Sequence, residues 1–329
     1  MCIELPPGTV FDSSDANGSS AMAILAQAFT DGGMVEVNTS RLSARIPIIM
    51  FEYPFKVDED NTLMLQCDIS MQNPLACLNT QLLKAYSSLD PRVCVLASII
   101  KRWAKRRNIN NPSHHTLSSY GYTIMLLHFL TRPSTLLSTH QSPVLPNLQW
   151  IDHVALSQNR YSLLPAKPNH PQFLVRHPTE PDFLVNSYFF RPNDARLHQT
   201  FSQNKQSVGY LLTAFFRYYA FEFDFKKHIV SLNNTSRGLI EKEIKAETDG
   251  WRLGAVANVL AIEDPFETFY DVAHVLKQSS FQRVKREFVR AYSKIVEAVW
   301  NGQANGLNKG EALLDWICED VAQQITETK

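Results

Sequence analysis

Asp68, in the run Cys67-Asp68-Ile69-Ser70, is a carboxylate placed where a β-strand can present it. Side chains alternate along a strand, so Leu63, Leu65, Cys67 and Ile69 share one face while Met64, Gln66, Asp68 and Ser70 share the other. Asp68 is thus aimed away from the thiol side, as a metal ligand, a proton acceptor or an ordinary ion-pair residue. Lys101 and Lys105, in KRWAKRR, stand four residues apart on one helix flank. Their ammonium groups reach one spot, about 6 Å apart, as a clamp on a β/γ-phosphate requires; a solvated basic helix end has the same pattern. Asn73 precedes Pro74 as a helix cap would, with Asn79 and Thr80 one to two turns on. Ser119 and Tyr120 lie in LSSYGY, where the ring has the character of a core aromatic. Asp264-Pro265-Phe266-Glu267 has the form of a capping box with proline at the first helical position. His114 and His115 fall in a loop between two helices and read as surface residues.

These residues need elements to hold them. The chain has 329 residues, enough for about two domains with cores of their own. Apolar residues make up 44% and charged residues 19%, which excludes a disordered or fibrous chain. Lys and Arg total 32, as do Asp and Glu, so contact with a polyanion must come from a local patch. The longest uncharged apolar stretch, 117–130, is too short to cross a membrane. Five widely spaced cysteines with no CxxC pair point to buried thiols in a reducing compartment. The start of the chain shows no signal peptide.

Residues 1–73 read as short strands around one helix, with strands near 1–5, 34–39, 44–53 and 63–70 and a helix at 21–29. From Pro74 the pattern turns helical. Asp90-Pro91 starts a helix with an apolar stripe through Val93, Leu96, Ala97, Ile100 and Ala104, and a second helix covers 118–130. Eight of the 17 prolines crowd between Pro133 and Pro181, which predicts irregular surface loops. Helices are predicted again at 207–223, from Asp264, and at 284–299. The basic residues Arg283, Lys285, Arg286, Arg290 and Lys294 of the last helix are a solvated face or a track for phosphates.

Several ordered blocks, ARIPIIMFEYP, CDISMQNPLACLNTQLLKAYSSLDPRV, IKRWAKRRNIN, TLSSYGYTIMLLHFL, PVLPNLQ and IEDPFE, together resemble the terminal uridylyltransferases and the poly(A) polymerase-like RNA nucleotidyltransferases. The resemblance runs from about residue 44 to 291. It implies an α+β fold: an incomplete nucleotidyltransferase palm over 1–73, a small mixed sheet with a helix, followed by a mainly helical central domain over 74–329 with a PAP-associated region at about 205–268. It implies a nucleotide held in a cleft between these parts. The activity implied is transfer of UMP from UTP to an RNA 3′ end, metal-dependent phosphoryl transfer with Mg2+ or Mn2+. The poly(A)-adding relative using ATP, and a catalytically inactive scaffold that binds RNA or a nucleotide, are the alternatives.

By the same resemblance Asp68 is the third of three catalytic aspartates, a metal ligand that helps deprotonate the 3′ hydroxyl. Lys101 and Lys105 bind the triphosphate. Asn73, Asn79 and Thr80 hydrogen-bond sugar hydroxyls and phosphate, Ser119 contacts the nucleotide, and Tyr120 stacks on its base, an interaction of about 1 to 3 kcal/mol. Asp264 and Glu267 read the uracil edge. Two departures stand out: Gln72 where asparagine is usual, and Tyr270 where many uridylyl-adding members carry histidine. The first two aspartates are expected immediately upstream of Met1, and Glu4 does not replace them, so the chain reads as an amino-truncated piece, inactive by itself. The implied setting is intracellular, in cytoplasm or mitochondrion, without membrane attachment. The partners are an RNA 3′ end and, for RNA targeting, other proteins.

Overall fold

In a computed structural model the described residues are 2–3, 18–44, 46–71, 73–132, 142–152, 164, 167–177, 183–191, 204–233, 238–251, 259–300 and 314–319. Glu4 and Gln72 lie outside them. The contacts divide the chain into two units, Met1–Leu82 with Pro168–Ser187, and Leu83–Lys167 with Tyr188–Lys329. The sequence reading draws its boundary at residue 73, whereas the contacts draw it at Leu82 and bring 168–187 to the first unit. The fold is α+β, a mixed sheet with a helix in one unit and packed helices in the other.

The first unit holds a four-stranded sheet of order β1-β4-β3-β2. Its strands are β1 (Cys2–Ile3), β2 (Val35–Arg41), β3 (Ile48–Lys56) and β4 (Thr62–Met71). β1 runs parallel to β4, and β3 is antiparallel to both β4 and β2. Helix α1 (Ser19–Asp31) covers one face, where Met22 and Ala26 meet Ile49, Phe51 and Ile69 in a small core. In the β3–β4 register Ile49 opposes Ile69 and Phe51 opposes Cys67. Asp68 opposes Met50, so alternation places it on the face turned from α1. Helix α2 (Pro74–Leu89) leaves the sheet. A small hairpin of β5 (Leu174–Arg176) and β6 (Leu184–Asn186) also belongs to this unit.

The second unit is built on α3 (Pro91–Arg106), α4 (Ser119–Leu130), α5 (Val208–Arg217) and α7 (Gln278–Trp300). Asp90 caps α3, its Oδ1 accepting the Arg92 amide at 2.9 Å with Pro91 in the first turn. Ser118 caps α4 and Ser207 caps α5 in the same way. Trp103, fully buried, meets Tyr122, Phe216 and Phe288 at ring distances of 5.8, 4.9 and 5.2 Å, which ties α3, α4, α5 and α7 together. Beyond α5 the chain widens into a π-helical turn, Tyr218–Glu222, closed by the Phe223 amide donating to the Tyr218 carbonyl at 2.9 Å. A short ladder of β7 (His228–Ile229) and β8 (Ile240–Glu241) leads into α6 (Lys242–Asp249).

Three expectations are corrected. The proline-rich region is irregular but not superficial: Val144, Leu145, Leu148 and Ile151 are buried, and Leu145 donates its amide to the Leu130 carbonyl at 3.0 Å. No helix starts at Asp264, because the Asp264 amide donates to the Tyr270 carbonyl and closes a loop instead. Of the cysteines, all free, Cys318 alone is buried and Cys94 is exposed.

Candidate functional site

In the first unit Asp68 is exposed near the end of β4. Asn73 is buried and caps α2, its Oδ1 accepting the Ala76 amide at 3.1 Å, while its own amide meets the Cys2 Sγ at 3.3 Å. That bond fastens the start of α2 to β1. Asn79 is half-buried, and Thr80, exposed, donates its hydroxyl to the Ala76 carbonyl at 2.9 Å. Among the described residues no group of three His, Cys, Asp or Glu side chains is placed to hold a metal ion. Asp68 by itself supplies too few ligands for Mg2+ or Mn2+, so the described residues do not fit a complete metal site.

The second unit brings several predicted residues together. Lys101 and Lys105 are both exposed on α3, where Trp103 and Ala104 between them face the core. Ser119 accepts a hydrogen bond at Oγ from Asn110 Nδ2 at 2.9 Å. Tyr120, one residue on, donates its hydroxyl to Asp264 Oδ2 at 2.9 Å across 144 residues of sequence. Gly121 packs beside this contact. A methyl group built there would lie 3.5 Å from Ile262 Cδ1 and 3.7 Å from Val272 Cγ1, so α4 begins directly against the segment that carries Asp264.

Asp264 is buried, and its other oxygen, Oδ1, accepts the amides of Phe266 at 2.9 Å and Glu267 at 3.0 Å. Half of the predicted capping box is thus formed, around a turn rather than a helix. Burial raises the carboxyl pKa of Asp264 above the usual range, against the pull of those amides and of Tyr120. Burial first, then the Asp264 charge, raises the Tyr120 phenol well above its ordinary value. Glu267 is buried, and its carbonyl accepts the Tyr270 amide at 2.8 Å. Tyr270 is half-buried, its ring 5.2 Å from that of the exposed His274.

The segment leading into this turn is held on both sides. Glu263 donates its amide to Val230, Ile262 accepts from Val272, and Asp271 Oδ1 accepts the amides of Ile262 and Ala273 at 2.9 and 2.8 Å. Burial lifts the Asp271 carboxyl to about 6. Glu263 is buried with Lys245, whose Nζ donates to Oε1 at 2.5 Å, and Ser231 donates to its other oxygen. Lys245 also pairs with Asp249 and lies over the Trp251 ring at 5.5 Å. Sequence reading passed over Glu263, Lys245 and Ser231; only Glu263 lay inside a quoted block, IEDPFE. The basic face of α7 is partly committed to its own fold. Arg290 reaches the Ile317 carbonyl and Glu319, Arg283 donates to the Asn108 carbonyl, and Lys294 lies over Trp316.

The chain is similar to known proteins. The profile of the Cid1 family of poly(A) polymerases matches residues 207–268, and that of the central palm domain of mitochondrial-like poly(A) RNA polymerases matches residues 1–88. Over 255 residues the chain is 32% identical to terminal uridylyltransferase cid1 of Schizosaccharomyces pombe, covering 75% of this chain and 54% of that protein. Poly(A) RNA polymerase cid13 of the same organism is 28% identical over 76% of this chain and 36% of its own. The chain therefore spans about half, or less, of the length of these relatives. A crystal structure of the Cid1 poly(U) polymerase with MgGTP bound matches with a TM-score of 0.64 at 26% identity, over 95% of this chain and 79% of that one.

Proposed function

From the premise that this chain belongs to the family of Cid1-type terminal uridylyltransferases and poly(A) polymerases, we propose that it binds UTP and serves the addition of UMP to RNA 3′ ends. One observation carries the reading. Tyr120 and Asp264, from two blocks that sequence reading assigned separately to the nucleotide, meet at 2.9 Å, with Glu267 on the same turn. Tyr120 presents a ring for base stacking and is oriented through its hydroxyl. Asp264 fixes the turn, and the Glu267 carboxylate accepts from uracil N3–H, which adenine lacks.

Lys101 and Lys105 bind the triphosphate in this reading, Ser119 contacts the nucleotide, and Asn73, Asn79 and Thr80 contact sugar and phosphate. When bound, Mg2+ or Mn2+ would neutralise the triphosphate and activate the attacking 3′ hydroxyl. Asp68 would supply one carboxylate ligand to that ion. In this reading RNA extension requires further carboxylates beside Asp68. RNA is the acceptor and the setting is intracellular. Among the described residues no helix is long and apolar enough to cross a membrane.

Adenylyl transfer is the second reading, favoured by Tyr270, which stands where many uridylyl-adding members carry histidine and whose ring lies 5.2 Å from that of the exposed His274. Equilibrium binding of UTP and ATP to the chain, with Mg2+ present and then chelated, separates the two. UTP is expected to bind more tightly, and both Asp264→Asn and Glu267→Gln to erase the difference. Tighter ATP binding overturns the uridylyl preference, and no binding of either nucleotide overturns the whole reading.

A further inference from the structure

The block PVLPNLQ, residues 143–149, has no part in the proposed chemistry. It runs as an irregular buried strap. Leu145 and Leu148 are fully buried; the Leu148 amide donates to the Tyr86 hydroxyl oxygen at 3.2 Å, and the Leu148 carbonyl accepts the Phe190 amide at 2.7 Å. Asn147 donates Nδ2 to the Leu232 carbonyl at 2.6 Å and accepts the Gln149 amide at 3.3 Å. Gln149 is fully buried and donates Nε2 to the Pro265 carbonyl at 2.8 Å. Asn233 Nδ2 and Lys167 Nζ approach the same oxygen at 3.2 and 3.4 Å. Three side chains from three segments thus converge on one carbonyl, in the residue between Asp264 and Phe266.

Two of these side chains, Asn233 and Lys167, also border open space. A cavity of about 390 Å3 is lined by Trp150, Lys167, Asn233, Lys245, Glu263 and Thr268, among others. Gln149 is also a poor choice for stability alone. Among the described residues its buried Oε1 has no hydrogen-bond partner, a cost of about 1 to 3 kcal/mol that the single bond from Nε2, at about 0.5 to 1.5 kcal/mol, does not recover.

We propose that Gln149, with Asn233 and Lys167, is a positioning residue that holds the Asp264–Glu267 turn by its Pro265 carbonyl and so sets base selectivity. This rests on the reading of that turn as the base-reading element. Gln149→Met keeps the side-chain length and removes the donor, leaving Asn233 and Lys167 to satisfy Pro265. Three measurements test it on the whole chain. The melting temperature of Gln149→Met should be unchanged or raised. Amide exchange at Phe266 and Glu267, whose N–H groups bond to Asp264, should quicken. The ratio of ATP to UTP dissociation constants should shrink about tenfold, a loss of about 1.4 kcal/mol of discrimination. Ile295→Ala, a buried change on α7, should lower the melting temperature and leave exchange at the turn and the ratio as they were.

Unchanged exchange and an unchanged ratio in Gln149→Met overturn the proposal, as does a fall in melting temperature as large as that of Ile295→Ala with the ratio intact. If Asp264→Asn and Glu267→Gln do not alter the ratio, the base-reading role of the turn fails and the selectivity claim fails with it. If they do alter it while Gln149→Met does not, the brace alone is refuted.

Discussion

Asp68 in the first unit and Asp264 in the second are both acids proposed for nucleotide chemistry, yet the chain surrounds them in opposite ways. Asp68 stands exposed on the sheet face turned from α1, where the core of the unit is a handful of side chains on the far side. Asp264 is buried, with one oxygen on two amides and the other on the Tyr120 hydroxyl, in a region that also buries Glu263, Glu267, Lys242 and Lys245. An exposed acid can gather a hydrated ion at little cost to its own unit. A buried acid must be paid for by partners, and its placement is then fixed closely enough to discriminate between ligands.

The comparison breaks most visibly through the buried side. Lys245→Met strands the Glu263 carboxylate with Ser231 as its remaining donor, and should cost about 3 to 5 kcal/mol of stability in urea unfolding. A loss below about 1 kcal/mol would mean that the pair contributes little to holding the turn.

His128 provides the next test. It is buried against the Ser231 carbonyl, and burial depresses its pKa to about 3. The unfolded chain takes up that proton near the ordinary value of 6.5, so between these limits the unfolded state binds more protons than the folded one. Stability from this residue is therefore complete above about 6.5 and is lost as pH falls towards 3. His128→Asn keeps a polar group near the Ser231 carbonyl without titrating. Its melting temperature should fall less than that of the parent between pH 7 and pH 4, and parallel curves would refute the assignment.

Tyr120→Phe should cost about 1 to 3 kcal/mol, the range for removing a donor from a buried charged acceptor, and should loosen UTP binding as well. At the small end, Asp68→Asn and the double change Lys101→Ala with Lys105→Ala should each move stability by no more than about 0.5 kcal/mol. Both should still weaken nucleotide binding in Mg2+. Stability losses of 2 kcal/mol or so would recast these exposed groups as structural. Tyr270→His sharpens the finer question: a stronger UTP preference is expected, and no change in the UTP to ATP ratio would remove Tyr270 from the base pocket.

Local signals were readable wherever a short stretch of chain decides the outcome. Asp90-Pro91 and Ser118 start helices as their types predict, and the alternation around Cys67 and Asp68 follows the β3–β4 register. Asp264-Pro265-Phe266-Glu267 was half legible. The oxygen of Asp264 does take the two amides of a cap, but whether a helix follows depends on Tyr270 and Asp271, which turn the chain back on itself. The proline count of 133–181 predicted irregularity correctly and burial wrongly, because proline limits backbone geometry and says nothing of which side packs against Leu130 or Tyr86. Lys245, Glu263 and Ser231 were invisible in sequence, since pairs separated by 18 and 32 residues have no spacing rule to reveal them.

The wide turn at Tyr218–Glu222 carries one further consequence. It sets the rotational phase between α5 and the aromatic residues that follow, with Phe223 beside His128 at 5.8 Å and Phe225 on Tyr219 at 6.1 Å. Deleting one residue there would convert the turn to regular α geometry and swing everything beyond it by about 100°. Phe223 and Phe225 would leave their partners together, so a length change at this point is more damaging than replacing any one of its side chains.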